Sequence, residues 1–499
     1  MTSTAERQSA LEELLVAWFA GRPLLGVRLP VSALTREQKA AELQRVVAAE
    51  AMTAAYKAEL VMGLADDTPD ALDPPPGHPG ARRGSWAADT ELPGVSEFFT
   101  AELAVVLNCG RGTASHLAHR VWTYRHNLPA TWAALAEGVL DEPRAKVLAD
   151  VLATTSPAVA RAVEGQLLPE ATGLSLGRLR ARALALLLER DADAVDARRE
   201  DAKRQADVRS YPSHLEGMST LAADLPTPVS AECFDVVDQL AAMLKADGGP
   251  RPIGELRATV LADLIRRPWD TSRPAATAHL RVTAALSSLA EWTVEPGEVN
   301  GQPITAAHVR ELLAQLGALG VQAPENGSLT LALTDADGRL LATVSGATLK
   351  RLARRGCREH PDGNCACPLL GRPPEVDAYE HSTAQDLFVH TRDRTCRFPN
   401  CGQRVGWADL DHVVPHACGG ATDCANLCCL CRSHHRLKTL ARGWRFVMTA
   451  DGVLQVTTPS GVTRTTRPPG MRAPASGPPG AEGAPVPDGP PDENDPPPF

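Results

Sequence analysis

Ten of the twelve cysteines in this 499-residue chain fall between Cys357 and Cys431, and His412, His416, His434 and His435 stand in or just beyond the same window. Soft ligands packed this densely in a long chain read as metal chemistry. A disulfide framework suits small exported proteins instead. Cys396 and Cys401 are separated by four residues on a knuckle that contains Pro399. Cys431 and His434 are spaced i and i+3, which on a helix places both on one face. Two ligands from a knuckle and two from a helix make a closed tetrahedral set, the pattern of a structural zinc ion. Such an ion staples a unit too small to be held by its own core. Two other assignments compete. His435 follows Cys431 within the same turn, and Cys428 lies at the same spacing on the other side of Cys431. A further group, Cys357, His360, Cys365 and Cys367, puts four soft ligands into eleven residues as a candidate second zinc knuckle. Its alternative is a loop whose cysteines bind nothing.

Between the knuckle and Cys431 lie Asp411-His412, Gly419-Gly420 and Asn426. The stretch 407–414 is apolar and β-prone, the glycine pair gives a turn, and Asn426 is placed to cap a helix running to about Lys438. The expected unit is a two-stranded hairpin followed by a helix. Neighbouring strand residues point to opposite faces, so Asp411 and His412 can serve one site only if the strand bends or bulges. Pro415 and the double glycine make such a bend plausible.

The order Asp-His, Gly-Gly, Asn-Leu, Cys-x-x-His-His over residues 391–445 resembles the HNH endonuclease motif on a ββα-metal fold. That resemblance implies metal-dependent hydrolysis of DNA phosphodiester bonds, leaving a 5′ phosphate and a 3′ hydroxyl. It implies that His412 is the general base that takes a proton from water. Asp411 and His435 would hold one divalent ion, Mg²⁺ or Mn²⁺, and Asn426 would bond across the loop to keep His412 oriented. Zinc at Cys396, Cys401, Cys431 and His434 would be purely structural, with His434 standing where the family pattern has a second cysteine. The alternative is a zinc-stabilised DNA-binding protein that does not cut.

The chain carries a net charge of −9, yet residues 391–445 hold nine Lys/Arg against four Asp/Glu. Arg394, Arg397, Arg432, Arg436 and Lys438, with Arg392, Arg404, Arg442 and Arg445, are expected to offer a basic face to phosphates. Such contacts give affinity and salt dependence without sequence information. The expected partner is DNA, and the sequence does not separate it from RNA.

The remaining chain must position this window. Hydrophobic residues make up 43% and charged residues 22%, which is ordinary for a globular protein. No apolar run reaches membrane-spanning length, and the N-terminus lacks a signal-like pattern, so a cytoplasmic protein without membrane contacts is expected. The fold class reads as a mainly α N-terminal half, a mixed α/β middle and a small zinc-stapled ββα-metal domain. Residues 1–206 form the helical part. Thr35 and Gln38 stand in capping-box spacing at the head of a long helix, and helices follow at 94–107, 112–126, 129–138, 142–154, 157–171 and 175–190. Residues 207–356 read as the mixed module, with strands at 208–211 and 218–222, helices at 228–245 and 253–266, and a hairpin around Asp335–Gly338. A Cys-rich connector spans 357–390, the HNH segment 391–445 and a β-hairpin extension 446–466. In 468–499, 17 of 32 residues are Pro or Gly, so the tail from 467 is expected to be disordered. A helical half followed by such a module is similar to a large actinobacterial group of HNH proteins with an N-terminal domain of unknown function. In that arrangement the helical half would supply scaffold, target choice or a surface for a homo-oligomer.

Overall fold

The computed structural model describes residues 31–75, 78, 92–191, 200, 203–204, 206–248, 250–266, 282–284, 296–300, 302–315, 330–335, 337–346, 371–403 and 408–472. The Cys357, His360, Cys365 and Cys367 group, Arg404 and the tail beyond 472 lie outside the described residues.

The helical expectation for the first half holds closely. Helix α1 (Arg36–Asp66) opens on a reciprocal cap: Thr35 N–H donates to Gln38 Oε1 at 2.9 Å, and Gln38 N–H donates to Thr35 Oγ1 at 3.2 Å. Helices α2 (Phe99–Leu107), α3 (Arg111–His126), α4 (Pro129–Ala136), α5 (Glu142–Leu152), α6 (Pro157–Ala171) and α7 (Leu176–Arg190) follow. Only α2 starts clearly later than expected. The Asp73 carboxylate takes Ser96 Oγ–H at 2.5 Å and Glu97 N–H at 2.8 Å, which holds the residues before Phe99 in a turn.

The chain divides into two compact units. One comprises Met1–Leu60 and Thr123–Leu186. Its core is aliphatic, with Leu128, Leu135, Leu140, Leu148, Leu152, Leu167 and Leu179 buried. Asp141 and Ser156 cap α5 and α6, each followed by a proline within the first helical turn, so short connections reverse the chain. The buried Glu164 of α6 accepts Thr131 N–H of α4 at 2.6 Å, which gives an otherwise costly buried carboxylate a partner.

The other unit comprises Val61–Trp122 and Leu187–Phe499. It contains an exposed hairpin of β1 (Val208–Pro212) and β2 (Ser219–Ala223). Helices α8 (Thr227–Ala246) and α9 (Ile253–Arg266) pack on Ala241, Leu256 and Val260. Strands β3 (Val282–Thr283), β4 (Gly297–Val299) and β5 (Gln302–Ile304) form an antiparallel sheet beside α10 (Ala306–Gln315). Strands β6 (Thr330–Thr334) and β7 (Leu340–Ser345) pair as a hairpin. Helix α11 (Thr383–Asp393) starts at a capping box of Ser382 and Gln385 and packs against β9.

The Cys/His window folds as β8 (Ala408–His412), β9 (Leu427–Cys431) and α12 (Arg432–Leu440). The two strands pair antiparallel from Ala408↔Cys431 to His412↔Leu427. One expectation is corrected here. Asn426 does not cap the helix. The run Leu427–Cys431 is a strand buried over nearly its whole length, and the helix starts only at Arg432. A short continuous apolar run buried on both faces has no period that separates strand from helix. The extension also differs. It is a three-stranded meander of β10 (Arg445–Met448), β11 (Leu454–Thr457) and β12 (Thr463–Thr466) rather than a single hairpin.

Helix α2 is built into this module. Phe98, Ala101 and Val105 share one buried cluster with Cys396, Phe398, Val413, Leu430, Leu437, Leu454 and Val456. Arg436 forks onto Glu97 with two contacts of 2.8 Å, and Ser460 N–H donates to Glu102 Oε1 at 3.0 Å. Arg464 reaches the carbonyls of Val105 and Val106 at 3.0 and 3.2 Å, the exposed-acceptor end of α2.

At the head of the module Asp393 is fully buried and tied to both Arg392 and Arg397. It also accepts Cys429 N–H at 2.8 Å, while Arg392 donates to the carbonyls of Cys424 and Leu427, each at 2.6 Å. Replacing Asp393 by Ala strands two buried guanidinium groups. The expected cost is about 3–5 kcal/mol, read from the denaturant midpoint at unchanged slope. A loss below about 1 kcal/mol, the range of an exposed pair, would show that the network does not hold β9.

Among the described residues no helix is long and apolar enough to cross a membrane.

Candidate metal centre

The knuckle forms because Cys396 N–H donates to Gln403 O at 2.8 Å and Cys401 N–H donates to Phe398 O at 3.1 Å, which turns both thiols the same way. The end of β9 brings Cys431, and the first turn of α12 brings His434. The ligand atoms of Cys396, Cys401, Cys431 and His434 all lie within 4.8 Å of one another, and among the described residues no other group of three or more such side chains converges in this way. His434 Nδ1 stands 3.2 Å from Cys431 Sγ and 3.5 Å from Cys396 Sγ. Ligands bound tetrahedrally to zinc at about 2.0–2.3 Å sit about 3.5–3.8 Å apart, so the set fits the ion. His434 rather than Cys428 or His435 joins the three sulfurs. Cys428 is buried in the strand pair opposite Asp411, and His435 turns to the other side of α12.

The electrostatics point the same way. Hydrogen bonds from Cys396 and Cys401 push the Cys431 thiol far down, while Cys396 is pushed up by the neighbouring sulfurs and by burial. A hydrogen bond with Cys396 lowers the Cys401 thiol, but the hydrogen bond with Cys431, burial and the charge of Cys431 together raise it to about 11. The three sulfurs bear on one another's ionisation. A divalent ion lets all three ionise. A wall of aromatics closes the cluster: the Phe398 ring stacks on His434 at 3.9 Å and 7°, with Trp444 and Phe446 tilted against Phe398.

The second constellation lies across β8 and α12. Asp409 and Asp411 are two apart on the strand, so both face the helix. His435 Nε2 is 3.5 Å from Asp411 Oδ1, and His435 Nδ1 is 3.1 Å from Asp409 Oδ2. Lys438 Nζ pairs with Asp411 Oδ2 at 3.0 Å and donates to His412 O at 2.6 Å. Burial raises the acidity cost of Asp409, yet the hydrogen bonds from His435 and Arg432 outweigh it and hold this carboxyl below its usual range.

His412 ends β8 and faces other partners. Its Nε2 is 2.8 Å from Thr422 Oγ1, and its ring stacks on Tyr379 at 5.4 Å and 21°. Burial lowers its basicity below that of a free imidazole. The charge of Asp411 opposes this, and His416 and Lys438 add to it. Asn426 crosses the loop between the strands. Its Nδ2 donates to Val414 O at 3.0 Å and to Ala421 O at 2.9 Å, and its Oδ1 accepts Val414 N–H at 2.8 Å. The loop closes so tightly that a Cβ on Gly420 would stand 1.9 Å from Val414 O, so only glycine fits there.

Among the described residues the expected basic face is reduced to Arg432, Arg442 and Arg445, because the other cations are spent within the fold. Arg397 is buried on Asp393, Arg394 pairs with Glu298 at 2.5 Å, Arg436 pairs with Glu97, and Lys438 pairs with Asp411. Of Arg394, Arg397, Arg432, Arg436 and Lys438, Arg432 alone keeps an exposed side chain, at 66%. Counting charges along a segment does not reveal partners such as Glu97, which comes from 339 positions away. Sequence reasoning also passed over Asp409, Thr422 and Tyr379. The Asp-x-Asp spacing of 409 and 411 was a usable signal, whereas nothing local marks Thr422 or Tyr379.

Comparison with known proteins adds relatives and no fold precedent. Uncharacterized protein Rv3776 of Mycobacterium tuberculosis H37Rv is 41% identical over 101 residues, which is 20% of this chain and 19% of that protein. Uncharacterized protein Rv2100 of the same strain is 46% identical over 130 residues, 26% of this chain and 23% of the relative. The matched stretches thus span about a fifth to a quarter of these relatives. No solved structure matches. Residues 40–323, more than half of the chain, match the family described as Domain of unknown function (DUF222), and the chain belongs to that family.

Proposed function

We propose that the chain is a metal-dependent endonuclease of the HNH type that hydrolyses DNA phosphodiester bonds. The observation that carries this reading is the approach of Asp411 Oδ1 and His435 Nε2 to 3.5 Å, one residue from His412, on a hairpin and helix joined by a Cys₃His cluster. Binding alone would not require that arrangement. Zinc at Cys396, Cys401, Cys431 and His434 would be structural, since the four ligands close the set. A hard carboxylate oxygen with one imidazole nitrogen suits Mg²⁺ or Mn²⁺, and two protein ligands leave positions open for phosphate and water. Such an ion, when bound, neutralises charge on the scissile phosphate and on the leaving oxygen.

The chain's own residues do the rest. His412 takes the proton of the attacking water, and its lowered basicity keeps the ring in its accepting, neutral form near neutral pH. Asn426 fixes the spacing of Val414 and Ala421 and thereby the end of β8. Lys438 holds the Asp411 carboxylate and the His412 carbonyl together. Arg432, Arg442 and Arg445 are exposed and supply phosphate contacts. The pair of Arg432 with Asp409 is exposed and weak enough to open.

The test is incubation of the full chain with supercoiled plasmid. The reading predicts nicked circles with Mg²⁺ or Mn²⁺ and none in EDTA. Retention of DNA without cutting under any divalent ion would favour a zinc-stabilised binding protein.

A further inference from the structure

His412 is held by a hydroxyl that has only one proton to give. Thr422 Oγ1 lies 2.5 Å from Ala378 O and 2.8 Å from His412 Nε2. A carbonyl oxygen only accepts, so the Thr422 proton is committed to Ala378. Toward His412 the same oxygen can offer only a lone pair. We propose that Thr422, bridging Ala378 O and His412 Nε2, sets the tautomer of His412, placing the ring proton on Nε2 and leaving Nδ1 as the atom that accepts a proton. Among the described residues none is hydrogen-bonded to that Nδ1.

The surroundings make Thr422 a fixed point. It is 1% exposed. Its carbonyl accepts Val376 N–H at 3.1 Å and Gln385 Nε2 at 2.7 Å. Gln385 is itself locked, since its Oε1 accepts Ser382 N–H at 2.8 Å in the cap of α11 and its Nε2 also reaches Pro374 O at 3.1 Å. On the other side Asn426 holds Ala421 O. The loop 374–379 therefore supplies both the acceptor for the Thr422 proton and, through Tyr379, the ring stacked on His412. Thr422 touches neither proposed metal ligand, Asp411 nor His435, and acts through His412, which makes it a positioning residue.

Its catalytic relevance rests on the nuclease reading, whereas the tautomer itself does not. The experiment uses the full chain labelled with ¹⁵N-histidine, with two-bond ¹H–¹⁵N correlation spectra recorded well above the ordinary imidazole pKa of about 6.5. The His412 signals are assigned by their loss in His412→Ala. The expected result is a protonated Nε2 and an unprotonated Nδ1 in the wild type, a mixture of tautomers in Thr422→Val, and restoration in Thr422→Ser. In the plasmid assay Thr422→Val should lower kcat by about 10²-fold with KM little changed, and Thr422→Ser should recover most of it. A wild-type His412 that carries its proton on Nδ1 overturns the proposal. So does a Thr422→Val chain with an unaltered tautomer or an unaltered kcat. The correct tautomer in a wild-type chain that cuts no DNA would sink the nuclease reading and leave the tautomer assignment standing. Should Thr422→Val not fold, Thr422→Ala is read in its place, with the same mixture of tautomers expected and an unaltered tautomer overturning the proposal.

Discussion

Removing the metal from the Cys396–Cys401–Cys431–His434 cluster is expected to melt the hairpin, helix α12 and the sheet packed on them. Structural zinc in small domains contributes an apparent ~10–16 kcal/mol at neutral pH. The cluster lies inside the same core as Leu430, Leu437, Leu454 and Val456, so the loss should spread through it. Metal analysis of Cys396→Ser, Cys401→Ser should show one zinc fewer per chain than the wild type. Its near-ultraviolet dichroism should fall as Trp444 loses its packing against Phe398. The same change should follow acidification, because cysteine and imidazole release zinc when they take up protons. Unchanged zinc content and an unchanged unfolding midpoint in the double variant would show that these four side chains bind no ion.

His412→Ala should lower metal-dependent cutting by about 10²–10⁴-fold, the usual contribution of a positioned general base. Zinc content, unfolding midpoint and DNA retention should stay near wild type, because the side chain's direct partners are Thr422, Tyr379 and His416 rather than the Cys₃His cluster. The split between lost chemistry and kept binding is what separates a base from a structural histidine. A variant that cuts as fast as wild type removes His412 from the reaction.

Much of this arrangement is legible in the residues themselves. The helices of the first half follow from runs of helix-forming residues with Asp141, Ser156, Pro129 and Pro157 at their starts. The knuckle and the Cys431–His434 pair follow from spacing, because ligand geometry leaves few alternatives. Three features were hidden for physical reasons. Leu427–Cys431 is a strand because pairing with β8 and burial on two faces outweigh any local preference, and an apolar run carries no period. The basic segment is mostly neutralised because Glu97 and Glu298 reach it through tertiary contacts, while Asp393 and Asp411 pair with its cations from within. The bulge expected between Asp411 and His412 is not found inside β8: the register runs evenly through both, which are the last two paired residues of the strand, and the charge of Asp411 still acts on the His412 ring. The two side chains serve different partners, Asp411 toward α12 and His412 toward Thr422 and Tyr379.

The most direct test of the central claim is a time course of supercoiled plasmid with purified full-length protein, first in EDTA and then in Mg²⁺ or Mn²⁺, with His412→Ala alongside. The account predicts nicks that appear only with the added ion and are lost in the variant. A chain that holds its zinc and retains DNA, yet leaves the plasmid intact under both ions, would contradict it.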